Sequence, residues 1–192
     1  MTKLDDQIAR NRKELEHHCP PGDTGWDVPL YNLAYSLDDR FMETDDIVDL
    51  EEAILLHQSA LDLRPLGHPD RSDSLHHLAL CFSRRYDKQG IIADLEESIT
   101  LNRAALELHS LGHSWRAPTL NNLANAMRRK FLKFGANGDL DVAISLHRSA
   151  LDICPAGHSN WLNSLSNLAL CLSDRYEKQG TIADLEESIT LS

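Results

Sequence analysis

The chain has 192 residues, 42% of them hydrophobic and 26% charged, with 19 lysines and arginines against 30 aspartates and glutamates. A formal charge of -11 argues against a protein that grips nucleic-acid phosphates or an anionic membrane surface, because both need a cationic footprint. The segment Met1 to Glu16 carries charges where an export signal needs an apolar core, and the longest uncharged stretch, Ile153 to Ser173, is broken by Pro155 and Gly157.

Four cysteines, Cys19, Cys81, Cys154 and Cys171, form no C-x-x-C pair, and no asparagine opens a glycosylation sequon. A reducing, cytoplasmic setting is expected.

Internal repetition governs the chain. Asp-Leu pairs stand at Asp49-Leu50, Asp94-Leu95, Asp139-Leu140 and Asp184-Leu185, a strict 45-residue step. The same step relates Gly67-His68, Gly112-His113 and Gly157-His158, with Gly22-Asp23 one period earlier, and the Leu-Ala pairs at Leu33, Leu78, Leu123 and Leu168. Gln89 to Leu101 and Gln179 to Leu191 differ only at Ile91 and Thr181, which points to duplication of a 90-residue pair of repeats.

In chain order, Leu4, Ile8 and Leu15 predict a helix over residues 4–18. Two kinds of helix then alternate. First helices are predicted near residues 26–42, 69–87, 115–132 and 159–176; in the second of them Leu75, Leu78, Ala79, Phe82 and Tyr86 recur at three- and four-residue steps and form one apolar stripe. Gly90 and Gly180 end two of these helices. The second helices open on Asp49, Asp94 and Asp184, each followed three residues later by glutamate, which reads as a capping box; Val142 weakens the signal after Asp139. Leu50, Ala53, Ile54, Ala60 and Leu61 are the expected buried face, and Pro65 and Gly67 stop the helix. No window alternates with period two, so the fold expected is all-α, built of antiparallel helix pairs that bury their faces on the next pair. The expected organisation is a single array: a partial repeat over 1–48, repeats 49–93, 94–138 and 139–183, and a shortened repeat 184–192.

Ala53, Ala60, Leu61 and Pro65, with Leu78-Ala79 and Phe82, resemble the tetratricopeptide-repeat signature, and Ala143, Ala150, Leu151 and Pro155 match it again. The repeat 94–138 departs, with Ser98 for the first alanine and Ser110 for the proline. The long 45-residue form is similar to the kinesin-light-chain-like subtype of fungal arrays, often joined to a caspase-like peptidase domain. The resemblance implies a right-handed α-α superhelix, a solenoid whose first helices line a concave groove for peptides or protein segments. A spacer array within a larger fungal protein is the alternative.

An enzyme is not expected, since there is no G-x-S-x-G, Walker loop or H-E-x-x-H. Of the ten histidines, five recur by duplication, His57 with His147 and His68 with His113 and His158, and their spacing fits no zinc site; neither metal nor cofactor is expected. Cys81 and Cys171 are expected as buried thiols, and the Gly-His loops as left-handed turns whose histidine caps the next helix. In the resembling family the residue before the Leu-Ala pair holds peptide backbone, a place filled here by Asn32, His77, Asn122 and Asn167. Asn121, Asn125, Arg128 and Arg129 join them, with Arg84 one period before Arg129, and the arginines would favour partners with acidic or carboxylate groups. Leu185 and Ile189 keep the apolar pattern up to Ser192, so a longer array or end-to-end self-association is a further expectation.

Overall fold

The computed structural model describes residues 3–17, 25–110, 112–154 and 157–191. Gly22-Asp23, Cys19 and Pro155 lie outside the described residues. Nine helices and no strand occur among those described: α1 (Lys3–His17), α2 (Asp27–Thr44), α3 (Ile47–Asp62), α4 (Arg71–Gln89), α5 (Ile92–Leu108), α6 (Arg116–Phe134), α7 (Asn137–Ile153), α8 (Ser159–Gln179) and α9 (Ile182–Leu191). The 45-residue step holds at the level of single residues: α3, α5, α7 and α9 begin one period apart, and α2, α4, α6 and α8 end one period apart. None of these helices is long and apolar enough to cross a membrane.

The first helices run two to three residues past their expected ends. Each stops at a residue in the left-handed region whose N–H bonds the carbonyl four residues back: Asp45, Gly90, Gly135 and Gly180. Three of these are glycine, which adopts that backbone at no steric cost; Asp45, at φ 63°, does so with a side chain.

The second helices begin before the expected capping box. In α3 the N-cap is Asp46, whose carboxylate accepts from the Val48 N–H at 3.0 Å. Asp49 lies inside the first turn and is bound elsewhere: Arg40 donates to it through Nε and Nη2 at 2.7 and 2.6 Å. Arg85 grips Asp94 in the same two-pronged way at 2.7 and 2.8 Å, and Arg175 grips Asp184 at 2.7 and 2.8 Å. The conserved spacing of these aspartates therefore reflects a clamp between the two helices of a repeat. Arg40 also reaches Asp5 of α1, and Arg175 reaches Asp141 of α7, so two of the clamps extend to the preceding second helix. Lys130 takes the arginine's place before Asp139.

The chain divides into two compact units, residues 1–97 and 98–192, with the boundary inside α5. In the first unit Leu33, Ala34, Leu37 and Phe41 of α2 pack with Leu50, Ala53, Ile54 and Ala60 of α3 and with Leu78, Ala79 and Phe82 of α4, all buried. The second unit repeats the scheme with Leu123, Ala124, Met127 and Phe131 of α6, Leu140, Ala143, Ile144 and Ala150 of α7, and Leu168, Cys171 and Leu172 of α8. Small residues at Ala53, Ala60, Ala143 and Ala150 let the helices approach closely. Leu61 and Tyr86, expected in the core, are only half-buried, since each lies at the edge of its stripe. Ile189 is exposed, whereas Ile54, Ile99 and Ile144 at the equivalent positions are buried.

Candidate functional site

The asparagines read from the sequence fall on the first helices. In the second unit α6 and α8 lie side by side, and the Asn121 side-chain oxygen Oδ1 accepts from both the Asn167 side-chain amide and the Ser164 hydroxyl at 3.4 Å. Asn122, Asn125 and Arg129, at successive turns of α6, are half-exposed, as is Asn167. This brings six of the expected residues, Asn121 and Arg128 among them, onto one pair of helices, and the four asparagines carry amides that both donate and accept.

Arg84 and Arg128 do not offer open guanidinium groups. Arg84 is paired with Asp38 on the neighbouring first helix α2, and Arg128 donates from Nε to Asp174 of α8 at 2.5 Å. Both cations answer carboxylates of the chain itself, which removes them from the expected attraction for acidic partners. In the first unit Asn32 is exposed on α2, but His77 is 4% exposed and belongs to the interior. Its ring stacks on His57 at 5.9 Å and meets the edges of Tyr31 and Tyr35 at 5.5 and 5.2 Å. A histidine before the Leu-Ala pair is bulkier and less polar than asparagine, and it turns inward to fill this aromatic layer.

Around His77 lies a buried polar cluster that sequence reading did not identify. Arg64, 2% exposed, donates to Asp27 at 2.8 Å and to the Ser74 hydroxyl at 2.9 Å, and its guanidinium lies 4.8 Å from the centre of the Tyr31 ring. The equivalents of Arg64 one and two periods on are His109 and Cys154, so no recurrence marks it. Both ring nitrogens of His57 and of His147 are buried without hydrogen-bond partners. Burial, reinforced by neighbouring positive charge, lowers His57 from 6.5 to about 3 and His147 to about 4; burial likewise lowers His77 to about 4. The Cys171 thiol is pushed up to about 12 by burial, and burial beside Asp38 pushes Cys81 up as well. Both cysteines sit in the core as expected.

In all three Gly-His loops the histidine Nδ1 accepts a backbone N–H two residues on: Asp70 on His68, Trp115 on His113 and Asn160 on His158, at 3.2, 3.3 and 3.2 Å. Gly67 and Gly157 are left-handed as expected, while Gly112 is not. The nearest approach to a metal-binding set in the first unit joins Asp27, His68 and Asp70, whose donor atoms lie within 4.8 Å of one another. It does not suit a cation, because Arg64 already neutralises Asp27, and an accepting Nδ1 leaves the neutral imidazole's proton on Nε2.

Repeating helix pairs joined by short loops, with small residues at the helix crossings, define an all-α helical-repeat protein. No family model matches the chain, and no curated protein matches it. Among solved structures, the nearly identical TPR-like repeats designated kinesin light chain from Podosopora anserina share 17% identity over 98% of this chain and 87% of theirs, with a TM-score of 0.67. A MamA RS-1 double mutant aligns at 12% identity over 98% of this chain and 84% of its own, TM-score 0.65. BtubC (BKLC) from P. vanneervenii aligns at 17% over 100% and 74%, TM-score 0.59. The fold is therefore that of tetratricopeptide-like helical repeats.

Proposed function

We propose that the protein is a non-catalytic interaction scaffold that holds an extended peptide or protein segment on the inner face of its first helices, centred on Asn122, Asn125, Arg129 and Asn167. The observation that carries this reading is the run of half-exposed amides on α6 and α8, linked through Asn121. An amide can pair with the N–H or the C=O of a peptide whatever its side chains, so such a row suits recognition of backbone. The similarity to TPR-like repeats designated kinesin light chain agrees with a scaffold.

Replacing Asn122 by alanine should remove one net hydrogen bond, about 0.5 to 1.5 kcal/mol, and so weaken a partner about three- to tenfold. Affinity capture with the wild-type protein and with an Asn122→Ala/Asn125→Ala/Arg129→Ala variant tests the reading. Partners lost specifically by the variant support it, and equal recovery overturns it in favour of a spacer whose inner face binds nothing.

A further inference from the structure

The first unit contains a crevice between α1 and α2 whose chemistry is opposite to that expected of the inner face. One end is a cavity of about 290 Å3 against Asn32, Tyr35 and Asp39 of α2 and Gln7 of α1. Leu4 and Gln7 also line a second cavity of about 320 Å3, together with Lys3 and Glu43. The wall is firmly built: Asn11, 5% exposed, donates to the Asn32 carbonyl at 3.0 Å and to the Ser36 hydroxyl at 2.9 Å, tying α1 to α2 beneath the opening.

The charges beside this opening do not balance. Asp38 and Asp39 are adjacent, and the guanidinium near them is that of Arg84, which is hydrogen-bonded to Asp38. Arg40, the next residue, is clamped by Asp49 and Asp5, and Lys88 is paired with Asp45. Asp39 has no hydrogen bond or close ion pair among the described residues, so Asp38 and Asp39 with Arg84 retain one uncompensated negative charge. Burial followed by the repulsion of Glu43 raises the Asp39 carboxyl above its usual range, although Arg84 opposes this. Tyr35, 42% exposed as a residue, flanks the same opening and is held edge-on to the buried His77. An exposed carboxylate beside a fixed aromatic face, with an amide next to them, is a receptor for an alkylated cation: the charge meets the carboxylate and the stem or guanidinium plane lies on the ring.

We propose that this crevice is a docking site for one arginine or lysine side chain of a partner polypeptide, with the Asp39 carboxylate as counter-ion and the Tyr35 ring as wall. The adjoining cavity gives room for the residues next to that side chain, over Leu4. The site is separate from Asn122, Asn125 and Arg129, and the two readings fail independently.

The test uses the full chain and two acetylated, amidated pentapeptides, Gly-Ala-Arg-Ala-Gly and the same peptide with neutral citrulline for arginine. NMR titration follows the Tyr35 ring and the Asn32 side-chain amide. The arginine peptide should shift both saturably and bind about three- to tenfold more tightly than the citrulline peptide, an advantage that added salt erodes. Asp39→Asn, an isosteric change at an exposed site, should abolish that difference. Tyr35→Phe should retain binding and Tyr35→Leu lose it. Equal binding of the two peptides, or an arginine preference that survives Asp39→Asn, overturns the assignment. Saturation by spermine with no response to the arginine peptide would replace the polypeptide partner by a small polyamine and overturn it equally.

Discussion

Acid should unfold this protein through its buried imidazoles, and His57 provides a clean measurement. In the native chain the ring is fully buried, both nitrogens lack partners, and Arg64, Arg84 and His77 disfavour a proton, holding its pKa at about 3 against the ordinary 6.5. Below pH 6.5 the unfolded chain binds a proton that the native chain refuses until about pH 3. Stability is therefore complete above pH 6.5 and falls as pH falls through that window. At about pH 5 the loss is about 2 kcal/mol for His57, from about 1.4 kcal/mol per pH unit, and His147 adds a comparable loss in the other unit. His57→Leu removes the titrating group along with two unsatisfied buried nitrogens, and it should cost little at about pH 7.5 because no hydrogen bond is broken. Chemical denaturation of both proteins at about pH 7.5 and about pH 5 gives the double difference, expected to favour the variant by about 2 kcal/mol on acidification. Wild type and variant losing stability in parallel would refute the claim that native His57 stays neutral.

Asp45→Gly should raise stability by about 0.5 to 1 kcal/mol, because it relieves a left-handed side chain at a position where Gly90, Gly135 and Gly180 stand in the other repeats; an unchanged or lower Tm would show that the Lys88–Asp45 pair outweighs the strain. Lys130→Arg should restore the two-pronged grip seen at Arg40, Arg85 and Arg175 and add about 0.5 to 1.5 kcal/mol, measured as a higher denaturation midpoint that Asp139→Asn cancels.

The 45-residue recurrence, the apolar stripes and the glycines at the helix ends were sufficient to determine the all-α class, the alternation of helices and the asparagines of α6 and α8. These features are local: a helical stripe needs only its own spacing, and a left-handed stop needs only the residue that tolerates it. Tertiary structure decided what the recurring aspartates do, because a residue three positions from a glutamate reads equally as a cap or as the partner of an arginine nine residues earlier, and only the approach of the two helices selects the second. It also decided the fate of His77, Arg84 and Arg128. Their sequence positions match those of face residues, yet His77 is drawn into a layer with Tyr31, Tyr35 and His57, and both arginines close on carboxylates of the adjacent first helix. Asp27 and Arg64, 37 residues apart and without counterparts in the other repeats, meet only because α2 and the end of α3 converge. Where the chemistry depends on which charge reaches which across a helix interface, periodicity is silent, since the energy belongs to the pair and the pair is made by packing.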